Sequence, residues 1–147
     1  MPANLEKARK RENMKHLIST VLLLTAGCDS TDDTGSAEEF IGDTLERCEA
    51  SAPSDEVWIS DASLAGDTLT IDVGFGGGCE AHQLRLCWDG LVAESYPMQV
   101  FLWVSHDANG DSCEAALSET MAVDISSIGV SPTIVNLSGW SGSLIYE

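Results

Sequence analysis

The chain has 147 residues, with 7 basic and 24 acidic side chains and a formal net charge of −17. So negative a surface repels phosphate backbones and anionic lipid headgroups, which argues against nucleic-acid binding and against electrostatic adhesion to a bilayer. The informative features are therefore the placement of the few basic residues and of the five cysteines.

The N-terminal segment has the composition of an export signal. Five basic residues precede a short apolar run at residues 17–27, and Cys28 follows it; they are Lys7, Arg9, Lys10, Arg11 and Lys15. Spanning a bilayer takes about 20 apolar residues, so this run is too short to remain as a membrane helix. We predict a signal peptide over residues 1–27. Because Met14 and Lys15 begin a signal of ordinary proportions, translation is expected to start at Met14.

The end of this run, Leu-Thr-Ala-Gly-Cys at residues 24–28, resembles the lipobox of bacterial lipoproteins. Thr25 stands where the commonest lipobox has leucine, and the resemblance covers residues 14–28. It implies that Cys28 carries a covalent diacylglycerol and becomes the new N-terminus. It also implies attachment to a bacterial membrane, on its periplasmic face or at the cell surface. A plain secretory signal is the alternative interpretation.

Without residues 1–27, the chain keeps 22 acidic residues and two basic ones, Arg47 and Arg85. Residues 28–39 are polar and acidic after Cys28 and have no apolar period, which predicts a disordered tether. The remainder is long enough for one domain. Residues 40–52 are predicted as a short helix or linker, because Phe40, Ile41 and Leu45 fall near one helical face.

Residues 53–147 show short alternating runs typical of strands. The clearest run, at residues 68–75, alternates apolar Leu69, Ile71, Val73 and Phe75 with polar or small residues. Residues 82–88 form another half-buried strand. Residues 96–106 are apolar on both faces, which predicts a central strand that is covered on both sides. Reverse turns are predicted at Gly66-Asp67 and Asn109-Gly110.

Six to eight such strands predict an all-β domain, a single antiparallel β-sandwich of the immunoglobulin-like or jelly-roll-like kind. A small β-barrel is the alternative architecture. Within it, Trp58, Trp88, Trp103 and Tyr146 are predicted as core aromatics. Trp140 lies between small residues in a predicted loop and is the expected anchor for a ligand or a sugar ring.

If Cys28 is lipidated, four cysteines remain in an oxidising compartment, which predicts two disulfides. Four cysteines allow three connectivities, and spacing alone does not choose among them. We favour Cys79 with Cys113, which would join the start of one strand to the turn after another. Cys48 with Cys87 would then form the second bridge. Closing a loop of this length contributes about 3 to 4 kcal/mol by the chain-entropy estimate.

A metal site is the alternative interpretation of the Cys- and His-containing segments. Cys79, His82, His106 and Cys113 have the ligand types that zinc or copper would use. Asp107, Asn109 and Asp111 resemble the first half of a calcium loop. Ser112 and Ser118 occupy positions that a regular EF-hand gives to glycine and glutamate, so only an irregular, weak calcium site is expected there. Both histidines align with core-facing residues, so a structural role is expected first.

The sequence lacks a Gly-x-Ser-x-Gly elbow, and no catalytic machinery is evident, so the chain is predicted not to be an enzyme. The Gly-Gly-Cys-x-x-His and Asp-x-Cys elements look like those of small all-β domains in uncharacterised bacterial lipoproteins, a likeness that implies no known activity. We predict a monomeric, lipid-anchored envelope protein that acts as a binding or structural module toward an envelope protein or a glycan. The alternative is a metal-binding protein or metal-dependent enzyme using His82, His106, Asp107 and Asp111.

Overall fold

The computed structural model describes residues 40–147. The predicted signal peptide, Cys28 and the predicted tether lie outside the described residues. The described part contains nine strands and one 3₁₀ turn: β1 Phe40–Ile41, β2 Glu46–Arg47, β3 Val57–Ala65, β4 Thr68–Gly77, β5 Gln83–Trp88, β6 Met98–Asp107, β7 Ala115–Asp124, the turn Ser126–Ile128, β8 Thr133–Leu137 and β9 Ser143–Tyr146.

These strands form two sheets. The larger sheet has the order β1-β5-β6-β8-β9, with β2 also pairing with β5, and the smaller sheet has the order β3-β4-β7. Apolar residues from the inner faces of both sheets pack into one buried cluster. The prediction of an all-β sandwich is confirmed, because each sheet buries one face against the other.

The larger sheet is mixed, whereas the sequence predicted a purely antiparallel one. Strands β1 and β2 pair with β5 in parallel, and β6 pairs with β8 in parallel. A parallel pair needs a crossover connection. Between β6 and β8 the chain passes through β7 in the smaller sheet and then through the 3₁₀ turn, and this excursion provides the crossover.

The predicted helix in residues 40–52 is wrong, and the β-structure begins at Phe40 rather than at residue 53. The backbone of this segment bonds to β5 instead: Phe40 N–H donates to His82 O at 3.0 Å, and Gly42 N–H donates to Leu84 O at 2.8 Å. Ile41 and Leu45 still pack against the core, as an amphipathic segment should. Within the described residues, no helix is both long and apolar enough to cross a membrane.

Strand β4 is the middle of the smaller sheet and follows the predicted alternation. Its inward residues are almost completely buried; they are Leu69, Ile71, Val73 and Phe75. The predicted turn at Gly66-Asp67 joins it to β3, with Ala65 paired to Thr68. Gly66 has φ of 58°, a left-handed conformation that favours glycine at a tight hairpin.

Strand β6 lies between β5 and β8, so its predicted central position in the sheet is confirmed. Its inner residues Val100 and Leu102 are buried, but Phe101 on the outer face is 57% exposed. The prediction that both faces are covered is therefore wrong. A strand that is central within its sheet needs cover only on the face turned to the opposite sheet.

Trp58, Trp103 and Trp140 do not have their predicted roles; Trp103, predicted as a core aromatic, is partly exposed on the outer face of the larger sheet. Trp88 is buried, as is Tyr146, but Trp58 is 48% exposed on the outer face of the smaller sheet. Trp140, the predicted ligand anchor, is partly buried and packs against the core. Its ring fills the space beside Gly142, where a side chain at residue 142 would collide with it.

At one end of the sandwich, a hydrogen bond joins the two sheets. Tyr146 in β9 donates its hydroxyl to Oδ1 of Asp67, in the turn between β3 and β4, at 2.7 Å. This bond raises the pKa of Tyr146 above its usual value, and burial and the charges of Asp67 and Asp124 act in the same direction. The neutral hydroxyl is therefore the form that the folded domain stabilises.

We expect Tyr146→Phe to lower the free energy of unfolding by about 1 kcal/mol near neutral pH, the usual contribution of one hydrogen bond. Because the folded-state pKa of Tyr146 is raised, its contribution is fully present below the unfolded value of about 10 and is lost as pH rises through the folded value. Denaturant unfolding at several pH values measures this difference. The matched control is Tyr96→Phe, since Tyr96 is 96% exposed; equal losses in both variants would contradict the assignment.

Candidate functional site

The residues that the sequence singled out meet where two connections cross between the sheets. The β4–β5 connection runs from the smaller sheet to the larger one, and the β6–β7 connection runs back. Asp111, in the second connection, accepts hydrogen bonds on Oδ2 from the backbone N–H groups of Gly78, Cys79 and Glu80 at 2.8, 2.8 and 3.0 Å. Its Oδ1 accepts from Cys113 N–H at 2.7 Å. One carboxylate therefore organises both connections.

The glycines of the first connection make this arrangement sterically feasible. Gly77 and Gly78 have φ of 157° and 116°, which side chains rarely adopt. A Cβ at Gly77 would collide with the imidazole of His82. These glycines therefore form a tight corner with a close approach of the backbone to His82.

The structure pairs the cysteines as Cys79–Cys113 and Cys48–Cys87, with Cα–Cα distances of 5.9 and 5.4 Å. These are the same two pairs that the sequence analysis favours. The first bridge joins the two connections that Asp111 also holds together. The second ties the segment after β2 to β5, reinforcing the parallel pairing of Glu46 with Cys87.

Peptide N–H groups of both connections surround the carboxylate of Asp111, and three of them hold its pKa far below the usual value. The Cys113 N–H has the largest effect, followed by those of Cys79 and Glu80, and burial opposes them only in part. The hydrogen bond from His82 acts in the same direction as the peptide groups. The folded domain thus favours a charged Asp111, because each of these donors bonds better to a carboxylate than to a carboxylic acid.

Beneath Asp111 lies a buried chain of two histidines. His82 Nε2 is 3.2 Å from Asp111 Oδ2, and His82 Nδ1 is 2.8 Å from His106 Nε2. At the far end, His106 Nδ1 is 3.0 Å from the carbonyl oxygen of Glu56. Phe75 packs against both rings, with centroid distances of 4.9 and 5.0 Å.

Both ends of this chain, the Asp111 carboxylate and the Glu56 carbonyl, only accept hydrogen bonds. His82 Nε2 and His106 Nδ1 are therefore the donors at the two end contacts.

Of the predicted metal ligands, the structure brings His82, His106 and Asp111 into contact, whereas Asp107 and Asn109 bond elsewhere. Asp107 Oδ1 accepts from Asn109 N–H at 2.9 Å, and Asn109 Nδ2 donates to Ala81 O at 3.1 Å, so both stabilise the turn itself. Asn109 and Gly110 have φ of 54° and 74°, as the predicted reverse turn requires. Both carboxylate oxygens of Asp111 already accept peptide N–H groups of the two connections.

The histidine pair is also poorly placed for general acid–base catalysis. A general base must reach the proton that it removes, directly or through one water. His82 and His106 are 2% and 1% exposed, and every ring nitrogen already has a partner. In this arrangement the pair contributes to the stability of the connections, which is the structural role expected first from the sequence.

Sequence reasoning missed the exposed apolar surface of the larger sheet. We call it the aromatic face and define it as Phe101 and Trp103 of β6, Ile134 of β8 and Ile145 of β9, which all lie on the outer side of the sheet. Phe101 and Ile145 are 57% and 62% exposed. A depression of about 510 Å³ lies here, lined among others by Phe101, Trp103, Asn136 and Asp89. The signal in the sequence was the apolar character of both faces of β6.

No family model matches the chain, and neither does any curated protein. Solved structures with a similar fold include a protein of unknown function (DUF1344) from Bacteroides vulgatus, with 12% identity and a TM-score of 0.54; the match covers 74% of this chain and 57% of that one. Another is a NigD-like immunity protein from Bacteroides caccae, with 13% identity, a TM-score of 0.51 and coverage of 73% and 60%. The likeness is one of fold alone. This chain spans less than two thirds of either neighbour.

We expect Asp111→Asn to destabilise the domain at neutral pH, because an amide replaces the charged acceptor of four peptide N–H groups. The folded-state pKa of Asp111 is lowered, so its contribution is present above the unfolded value of about 3.9 and is lost as pH falls through the folded value. The melting temperatures of wild type and variant should therefore converge in acid. Asp107→Asn is the control, since Asp107 accepts a single turn hydrogen bond; a loss as large as that of Asp111→Asn would contradict the special role of Asp111.

Proposed function

We propose that the protein is a lipid-anchored component of a bacterial cell envelope, and that its domain is a non-catalytic module that binds a positively charged protein through the aromatic face. The observation that carries the proposal is the exposure of Phe101 and Ile145 on a sheet of an otherwise polar, acidic domain. Exposed apolar patches rimmed by polar groups are typical of interaction sites.

The support for an envelope location comes from the sequence. The short apolar run, its basic flank and Cys28 together resemble a lipoprotein signal. Two disulfides in so small a domain fit an oxidising compartment, because cytosolic reductants keep thiols reduced. The acidic segment after Cys28 repels itself and would extend, which would separate the domain from the bilayer.

The composition of the aromatic face supports a protein partner. Aromatic residues are enriched in protein interfaces, where they supply large contact areas at low cost in conformational entropy. Phe101 lies in the middle of this surface, paired with Asn136 in β8, and Asn136 donates to Gln99 Oε1 and to Val100 O at 3.3 Å. These amides provide polar groups next to the apolar centre.

The charge of the domain supports a positively charged partner. Residues 40–147 contain 17 acidic side chains and two arginines. Both arginines have partners within the domain: Arg85 lies 3.9 Å from the Glu46 carboxylate, and the Arg47 guanidinium lies 5.1 Å from the centroid of the Trp88 ring. Asp89 borders the depression beside Phe101 and Trp103, where a lysine or arginine of the partner would meet both a carboxylate and aromatic rings.

The anchor is tested by mass spectrometry and fractionation. We expect the mature protein to begin at a diacylglycerol-modified Cys28 and to sediment with membranes, because the lipid is its proposed attachment. Cys28→Ser should abolish both properties, while Ser30→Ala, outside the lipobox-like motif, should preserve them. Recovery of unmodified Cys28 within an uncut precursor would contradict the proposal.

The aromatic face is tested by placing a photo-crosslinking phenylalanine analogue at Phe101 in cells that produce the protein. We expect one discrete adduct with a basic protein, weakened at high ionic strength because the charge attraction is screened. Added soluble domain should compete for that adduct at least tenfold better than its Phe101→Ala variant, since a central aromatic commonly contributes more than 1.4 kcal/mol to binding.

The matched control position for the crosslinker is Ser63, which is exposed on the outer face of the smaller sheet. Binding through the aromatic face would be contradicted if Ser63 and Phe101 gave the same adducts. It would also be contradicted if the yield of adduct were unaffected by salt and reduced equally by both competitors.

A further inference from the structure

The outer face of the smaller sheet carries one large aromatic side chain among small and polar ones. Trp58 of β3 is 48% exposed and pairs across the sheet with Gly74, which in turn pairs with Ser118 of β7. The remaining outward positions are small or polar; they include Ser60, Asp61, Ser63, Thr70, Asp72, Gly76, Ala116, Thr120 and Ala122. Trp58 is therefore an isolated aromatic on a hydrophilic sheet face.

Two glycines of β4 determine how the indole lies. The ring of Trp58 occupies the space above Gly74 that a Cβ there would take, so the indole leans over the strand instead of projecting into solvent. Gly76 is the next outward residue, and no heavy atom lies within 4 Å of the position of its Cβ. The surface beside the indole is thus low and open, which allows a flat ligand to approach the ring.

A polar depression adjoins the indole. It has a volume of about 310 Å³ and is lined by Ser60, Asp72, Val73, Ser118, Glu119 and Thr120. Its hydroxyl and carboxylate groups are held in place: Thr120 Oγ1 donates to Asp72 Oδ1 at 2.7 Å, and Ser60 Oγ donates to Asp72 O at 3.1 Å. Ser118 lies next to Gly74 and also lines the depression, so the indole and the polar groups form one continuous surface.

We propose that this surface binds a neutral polysaccharide or oligosaccharide chain, with Trp58 as the stacking platform. The apolar C–H face of a pyranose ring packs on an indole, and its hydroxyls bond to hydroxyl and carboxylate groups at the rim. A protein interface needs an apolar centre of several large residues, which this face lacks. Asp61 and Asp72, both at outward positions, disfavour anionic glycans by repulsion. This site lies on the sheet opposite the aromatic face and is independent of it.

The test uses the soluble domain with cellohexaose and maltohexaose as neutral chains and hexagalacturonate as the anionic comparison. NMR of the indole N–H signals, assigned by single tryptophan substitutions, reports on Trp58 separately from the other three tryptophans. We expect at least one neutral chain to shift the Trp58 signal in a saturable way and to leave the buried Trp88 signal in place. Hexagalacturonate should leave the Trp58 signal unmoved.

The variants separate stacking from folding. Trp58→Ala should weaken binding at least tenfold, because an aromatic platform contributes about 1.4 kcal/mol or more. Gly76→Gln should weaken it similarly by filling the open surface, and Thr120→Val should weaken it less by removing one rim hydroxyl. Phe101→Ala, on the other sheet, should bind like wild type. Melting temperatures report whether each variant is folded.

Several outcomes would overturn the proposal. A Trp58 signal that neither neutral chain moves at millimolar concentration would exclude the saccharide, and so would equal binding by wild type and a folded Gly76→Gln variant. A Trp58 shift that depends on protein concentration without sugar would assign the face to a second copy of the chain. None of these results bears on crosslinking at Phe101, so this inference and the proposed function fail separately.

Discussion

The carboxylate of Asp111 is the interaction on which the arrangement of the two sheets most depends. The chain leaves the smaller sheet after β4 and returns to it before β7, and Asp111 bonds the peptide groups of both connections. The Cys79–Cys113 bridge joins the same two connections covalently. A carboxylate among peptide N–H groups is strongly favoured over its protonated form. The two connections are therefore held together by electrostatic attraction to Asp111 as well as by the disulfide.

The buried histidines continue the hydrogen-bond network of Asp111 into the core. His82 connects Asp111 to His106, and His106 reaches the backbone at Glu56 ahead of β3, so the polar chain passes from the crossing connections to the edge of the smaller sheet. Buried polar groups are tolerated when each finds a partner, and these do. His82 and His106, two of the candidate metal ligands, thus connect Asp111 to the backbone at Glu56 and stabilise the fold. The candidate binding surfaces are the outer faces of the two sheets.

The two outer sheet faces differ in kind, and this difference supports two kinds of ligand. The aromatic face has several large apolar side chains around Phe101, which suits the desolvated centre of a protein interface. The face of the smaller sheet has Trp58 alone, set among hydroxyls and carboxylates, which suits a hydrated sugar chain. A domain extended from a membrane on an acidic tether would present both faces to the surrounding envelope.

The sequence by itself determined the all-β class, the inward face of β4 and the turns at Gly66 and Asn109, because alternation and glycine conformation are local properties. It also favoured Cys79 with Cys113, at the start of one strand and the turn after another, and left Cys48 with Cys87 as the second pair. Only the tertiary structure decided that residues 40–41 and 46–47 pair with β5, since a short amphipathic segment satisfies its backbone equally well as a helix or an edge strand. Likewise, the exposure of Trp58 and Phe101 and the bonding of the Asp111 carboxylate to the β4–β5 connection depend on residues distant in the chain. Local pattern shows which side chains are apolar or charged, and long-range packing decides what they face.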